Sequence, residues 1–265
     1  MPSLIDHSSF KDGNMITSSL SNHILTLTID RPTAKNALNL DMYQNLAQQL
    51  ERAKNDDISV VIITGNSDIF CSGNDIEDFI QLAQADDTQA QKNREIIERF
   101  MFAMIDCPVP IIAAVSGAAI GIGMTLLQHC DFIFATPNTV FTLPFVKLGL
   151  CPEFGSSLLL PQLIGERKAK AMLLLGEELS VEEALSLGFI NQITVQPEQR
   201  AAHYANTLTA LPKEALQHTK KLLSDNSRQQ LIDCIYKEND LIFKLIKRSE
   251  ATCALSRFKG KKSHT

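Results

Sequence analysis

Two glycine-bearing turns, each following an apolar β-like run, are the residues of this 265-residue chain best placed to do chemistry. The first closes "VVIITGNSDIFCSGNDI" (60–76) and the second "VPIIAAVSGAAIGIGMTLL" (109–127). A turn that opens a helix leaves its first backbone N–H groups unpaired and pointing outward. Glycine accepts positive φ and lets a ligand approach the main chain closely. Two such turns can aim two N–H donors at one oxygen, which is what stabilising an oxyanion requires. The pattern reads as an enzyme whose electrophilic machinery is main chain, with one acid or base side chain to be found.

The elements that must hold these turns are legible in the periodicity. "HILTLTID" (23–30) alternates apolar and polar residues as a half-buried strand does, and 31–40 follows as a loop. A helix over 41–56 takes its cap from Asn39 or Asp41. "SVVIITG" (59–65) is a near-continuous β-branched run, the signature of a strand buried on both faces. Residues 76–105 read as helical with an interruption near 84–91, 109–115 as the next buried strand, and 121–129 as the helix behind the second turn. Two short strands flank the turn at 136–138, and a loop over 145–157 leads to apolar helices at 158–163 and 166–176. Ser180 caps a helix that gives way to a strand after Gly188. Beyond Pro197 the patterns are helical: 197–210, 212–223, 227–248 and 250–258. The fold class is therefore α/β: a core of repeated strand-strand-helix units over 1–199 and a helical C-terminal subdomain over 200–265.

Composition narrows the function classes. Net charge of −5 argues against nucleic acid, whose binders usually carry a basic face. The six cysteines form no C-x-x-C pair, so neither a metal cluster nor a disulfide framework is expected, and a reducing cytoplasm is the natural compartment. The N-terminus lacks a basic start followed by an apolar stretch, and the C-terminus is not a Ser-Lys-Leu address. Residues 109–127 run without a charge for about the length of a membrane span. Pro110, Gly117, Gly121 and Gly123 interrupt that run, which reads better as strand, turn and buried helix.

Motifs of other catalytic and nucleotide-binding classes are missing. No G-x-G-x-x-G, no phosphate-loop lysine and no G-x-S-x-G elbow occurs, and the six histidines are scattered. His129 reads as a helix-end residue rather than a catalyst, and Cys71 as packing rather than a reactive thiol.

The two turns, together with "DRPTAKNALN" (30–39), resemble the crotonase superfamily, the enoyl-CoA hydratase/isomerase family, over roughly residues 20–260. The resemblance implies a spiral core, a helical tail that trimerises and lies on the CoA side, and a homotrimer or dimer of trimers. The common chemistry it implies is an acyl-CoA thioester enolate held by two backbone N–H groups, with no cofactor besides the CoA of the substrate and no metal. Carried over by position, the N–H donors fall on Ser72 and Ile122, beside Gly73 and Gly121. Asp75 and Ile76 match positions along the adenine, and Lys35 and Ala37 the early motif on the pantetheine and nucleotide side. The basic residues Lys247, Arg248, Arg257, Lys259, Lys261 and Lys262 would suit a CoA phosphate, or equally a solvated tail.

Departures from the family pattern bear on the reaction. Hydratases of this family hold a water between two glutamates; the matching positions here are Thr125 and Phe145. Neither can activate water or manage a proton. Glu153 in "GLCPEFGSS" (149–157) remains, and this loop and "GIGMTLL" (121–127) resemble the peroxisomal-type 3-enoyl-CoA to 2-enoyl-CoA isomerases. Isomerisation needs one base, and apolar walls at Thr125 and Phe145 would exclude water and raise its basicity. Three other readings stay open: hydration by Glu153 alone, another acyl-CoA reaction such as thioester hydrolysis, and a non-catalytic acyl-CoA-binding protein in which Glu153 merely caps the next helix.

Overall fold

The computed structural model describes residues 15–54, 57–66 and 68–262. Strands β1 (Ile16–Ser21) and β2 (Ile24–Ile29) form an antiparallel pair. From β2 onward the main sheet is parallel, adding β3 (Val60–Gly65), β4 (Ile111–Val115), β6 (Phe132–Ala135) and β9 (Gln192–Ile193) in the order β1-β2-β3-β4-β6-β9. A second, smaller sheet joins β5 (Ala119–Ile120), β7 (Val140–Thr142) and β8 (Glu178–Ser180). The two strands expected around residues 136–138 thus belong to different sheets.

The β-branched run of β3 is buried on both faces. Val61 and Ile63 join the large core, which includes helix α1 (Leu40–Arg52) and α3 (Asp87–Ile105). Val60 and Ile62 face the other way and pack with Phe134 against Ala201 and Ala205 of α8 (Pro197–Thr209). Helix α1 turns Met42, Tyr43, Leu46, Ala47 and Leu50 inward, one stripe at helical spacing, and Asn39 caps it by accepting from Met42 N–H. Between β3 and α3 lies α2 (Ile76–Gln84), so the interruption falls at residues 85–86.

Several elements depart from the sequence reading, each for a physical reason. Strand β1 has only Ile16 buried, so it carries no alternation to read; it pairs as an edge strand through its backbone. The helix behind the second turn is one turn of α4 (Ile122–Thr125) tightening into a 3-10 segment at Leu126–His129. The loop after β7 contains a 3-10 turn at Val146–Leu148, then leads into α5 (Ser156–Ile164) and α6 (Glu166–Lys170). Ser180 ends β8 and also caps α7 (Val181–Ser186) with a reciprocal capping box. Helix α9 (Lys213–Leu245) runs unbroken for 33 residues where two helices were expected. Ser224 in the anticipated gap turns its hydroxyl back on the Lys220 and Lys221 carbonyls, so the weak propensity of Ser-Asp-Asn is overridden. Helix α10 (Ser249–Lys262) closes the chain. Among the described residues no helix is long and apolar enough to cross a membrane, and the charge-free run 109–127 is divided among β4, β5 and α4.

Candidate active site

The two turns lie against each other. Cys71 pairs with β5, donating to Ala118 O at 3.2 Å and accepting from Ile120 N–H at 2.9 Å. Gly73 then takes φ of +105°, and a Cβ on Gly121 would stand 3.8 Å from the Gly73 Cα. At Gly123 a Cβ would fall 2.5 Å from the Cys71 carbonyl oxygen, so only glycine lets the start of α4 approach the first turn this closely.

Peptide directions identify the free donors. Gly73 O accepts from Leu38 N–H at 2.9 Å. In a trans peptide the C=O and N–H point opposite ways, so Asn74 N–H points away from Leu38. Gly121 O accepts from Met124 and Thr125 N–H at 2.9 and 2.8 Å, which turns Ile122 N–H outward from the helix start. Neither N–H meets an acceptor among the described residues. Ser72, the donor expected from the sequence, is different. Its N–H donates to Lys35 O at 3.2 Å, and its hydroxyl to Ala34 O at 3.3 Å. The structure therefore corrects the first donor from Ser72 to Asn74, two residues on, because an extended segment alternates its N–H direction and Gly73 reverses it.

A cleft of about 520 Å³ opens at these turns. Of the anticipated site residues, Lys35, Ser72, Gly73, Ile76, Gly121, Phe145 and Glu153 line it. Ala37, Asp75 and Ile122 do not. Ala37 is buried and its carbonyl accepts from Arg31 at 3.1 Å. Asp75 caps α2 through Glu77 N–H at 2.8 Å and pairs with Arg31. Burial alone would raise the Asp75 carboxyl, but the Arg31 guanidinium and the Glu77 N–H outweigh it and hold it below its usual range. Ile122 is buried at the start of α4, where its N–H rather than its side chain is available. Phe145 stands in the wall of the cleft; Thr125, fully buried in α4, does not line it. Lys247 pairs with Asp87, and the side chains of Lys259, Lys261 and Lys262 lie outside the described residues.

Glu153 is 4% exposed, and its Oε1 has no hydrogen-bond partner. Burial raises its pKa from 4.5 to about 8, with the Glu238 carboxylate adding to the rise and the Asn74 amide opposing it. The amide's orientation follows from Tyr43, whose buried hydroxyl donates to Asn74 Oδ1 and leaves the amide nitrogen for Glu153. Desolvation lifts the Tyr43 hydroxyl well above its usual value, so it stays a neutral donor.

The loop carrying Glu153 is strained and clamped. Phe154 has φ of +57° and Gly155 +75°, an uncommon setting for an aromatic residue. His129 holds Phe154 O at 2.9 Å and stacks on its ring at 3.9 Å. Burial pushes His129 down to about 4, so it is a neutral helix-end residue, as its place in the sequence implied. Gly155, the N-cap of α5, has no side chain to cap with, and the Glu153 side chain does not supply one. Glu238, from α9, does: it accepts from Gly155 N–H at 2.6 Å and from Ser157 N–H at 2.8 Å. The reading of Glu153 as a helix cap is thereby replaced. Cys71 is fully buried and pushed by burial to about 12, the behaviour of a packing thiol.

Sequence reasoning missed Asn74, Tyr43 and Glu238. Asn74 lay inside the quoted motif, but the direction of its peptide needs the Leu38 partner. Tyr43 read as part of the apolar stripe of α1. Glu238 sits 85 positions beyond Glu153 in a helix with no local signal.

The family model for enoyl-CoA hydratase/isomerase matches residues 19–265. The chain is 33% identical over 221 residues to enoyl-CoA delta isomerase 2 of Rattus norvegicus, an overlap covering 83% of this chain and 56% of that protein. It therefore spans little more than half of that relative's length. It is 30% identical over 244 residues to the probable enoyl-CoA hydratase echA6 of Mycobacterium bovis, covering 89% of this chain and 96% of that protein. The solved structure of Pseudomonas aeruginosa OdaA superposes with a TM-score of 0.86 at 38% identity, covering 93% of this chain and 99% of that one.

Proposed function

This chain belongs to the enoyl-CoA hydratase/isomerase family, and from that premise we propose that it moves the double bond of a 3-enoyl-CoA to the 2-position. The thioester oxygen accepts from the Asn74 and Ile122 backbone N–H groups. The Glu153 carboxylate removes a proton from the alpha carbon, and the C–H electron pair moves into a dienolate whose negative oxygen those donors hold. The same proton returns from Glu153 to the gamma carbon, which restores the thioester with its double bond conjugated. No cofactor beyond the CoA of the substrate enters this scheme. Lys35 and Ile76, at the cleft, would lie along the CoA.

One observation carries the reading: Glu153 is buried in the cleft beside the two turns with one carboxyl oxygen unpartnered. Its raised pKa suits a base that must take and return a proton near neutrality. Phe145 in the wall removes the second acid that hydration needs, which favours isomerisation over hydration. Assaying 3-enoyl-CoA and 2-enoyl-CoA side by side tests this. Isomerisation predicts new conjugated-thioester absorbance from the 3-enoyl substrate. Rapid loss of that absorbance from crotonyl-CoA would replace the reading by hydration, and tight binding without turnover by an acyl-CoA-binding role.

Two coarser inferences go with it. The exposure of Leu222 (72%) and Leu223 (80%) on α9 supports assembly through this helical region as a homotrimer or dimer of trimers, which light scattering would read. All six thiols are free, which supports action in a reducing cytoplasm.

A further inference from the structure

We propose that Glu238 on α9 is a positioning residue for the site: it clamps the loop that carries Glu153, and its charge keeps Glu153 strongly basic. This rests on Glu153 being the proton carrier. The clamp is geometric. Glu238 Oε2 accepts from Gly155 N–H at 2.6 Å, and Oε1 accepts from Ser157 N–H at 2.8 Å and Ser157 Oγ–H at 2.5 Å. These donors lie two and four residues after Glu153, around the left-handed pair Phe154 and Gly155. An α9 side chain thus supplies the helix cap that the loop's own glycine cannot.

The charge is the second half of the argument. Glu238 is 5% exposed, and among the described residues neither it nor Glu153 pairs with a cation. Two buried carboxyls without a cation are costly unless hydrogen bonds hold one of them ionised. Glu238 has four donors, the Cys234 thiol at 3.6 Å joining the Gly155 N–H and the two of Ser157; Glu153 has the Asn74 amide and one bare oxygen. Burial raises the Glu238 carboxyl, and its Ser157 and Gly155 donors pull it back.

The thiols, phenol and imidazole packed about the pair are held towards their neutral forms, and Lys35, Lys147 and Glu178 line the open cleft beside Glu153. Cys151, whose Sγ donates to the Glu238 carbonyl at 3.7 Å, is pushed by burial to about 11. Cys234, on the same face of α9, is raised by burial as well. Tyr43 on α1 and Cys71 in the first turn are raised, and His129 is lowered to about 4. Glu238 is the buried charge that raises Glu153, and it arrives from the C-terminal helical region.

The test follows the carboxyl band of Glu153 in the full chain, as an infrared difference against Glu153→Gln from pH 5 to 10. In Glu238→Gln the proton affinity of Glu153 should fall about tenfold, so its titration midpoint moves down. Glu238→Asp keeps the charge but shortens the reach; it should leave the midpoint in place and lower kcat about fivefold through the loosened loop. An unmoved midpoint in Glu238→Gln overturns the proposal. Should that variant fail to fold, the Glu238 carboxyl band of the wild type, identified by difference against Glu238→Asp, decides: Glu238 must ionise below the Glu153 midpoint, since only a charged Glu238 can raise it. A Glu238 carboxyl that stays protonated through the Glu153 transition then overturns it. The band needs no turnover, so the two readings fail separately. A moved midpoint with no isomerisation of 3-enoyl-CoA removes the isomerase reading alone, and isomerisation with an unmoved midpoint removes the role of Glu238 alone.

Discussion

The two glycine turns and the loop that carries Glu153 face one cleft but are built on opposite principles. The turns are held by main chain: Cys71 to β5, Gly73 to Leu38, Gly121 to Thr142. Their donors are backbone N–H groups, and what they need from the sequence is the absence of side chains. The loop is held by side chains from distant elements: His129 from the segment after α4, Gln128 to the Ser156 hydroxyl at 2.9 Å, and Glu238 from α9. Added atoms therefore threaten the turns, whereas removed atoms threaten the loop. The part that stabilises charge is rigid and local, while the part that moves the proton is tuned from afar.

The largest expected effect breaks the loop side at its functional atom. Glu153→Gln should lower kcat for 3-enoyl-CoA about 10³-fold while acyl-CoA binding, read by calorimetry, stays within about twofold. The same variant should be more stable at high pH. Folded Glu153 titrates near 8 against an ordinary 4.5. Its stability contribution is thus full below about 4.5 and is lost as pH rises to about 8, because the unfolded chain ionises first. Relative to wild type, Tm of Glu153→Gln should rise by about 5 °C at pH 8 and scarcely at pH 4. Equal Tm differences at both pH values would contradict the buried, protonated carboxyl.

Next comes the turn side. Gly123→Ala places a Cβ 2.5 Å from the Cys71 carbonyl, so α4 must retreat and Ile122 N–H with it. An expected loss of about 10² in kcat/KM, with the Glu153 titration midpoint unmoved, would keep the two regions separable. A moved midpoint would merge them.

Asn74 belongs to both regions, which makes its variant the sharpest comparison. Asn74→Ala keeps the backbone N–H and removes the amide that favours ionised Glu153. The Glu153 midpoint should rise above about 8, costing about tenfold in kcat at pH 7 and recovering towards pH 10. A loss independent of pH would mean that the amide acts only sterically.

The smallest effect concerns the clamp's aromatic partner. His129 is lowered from 6.5 to about 4, so wild type keeps its contribution above about 6.5 and loses it as pH falls to about 4, where the unfolded chain has already bound the proton. His129→Gln should flatten this acid dependence at a cost of about 1 kcal/mol at pH 7, measured by urea unfolding at both pH values.

Much of the fold was legible because burial imposes periodicity. The β-branched run of β3, the stripe of α1 and the two strand-turn-helix units could be placed directly. Strand β1 was not legible, since an exposed edge strand pairs by backbone and needs no pattern. The break expected in α9 was likewise an inference from local propensity that tertiary context overrode.

For the site, the sequence by itself determined the residue types: glycines where Cβ atoms would collide, one carboxyl in the right loop, and Thr125 and Phe145 where hydratase acids would stand. Tertiary structure alone decided which N–H is free, because Ser72 and Asn74 differ only in what lies across from them. It also decided how basic Glu153 is, because Asn74, Tyr43 and Glu238 meet it across 79, 110 and 85 positions of chain. Peptide direction and desolvation are properties of neighbours in space, and no local pattern records them.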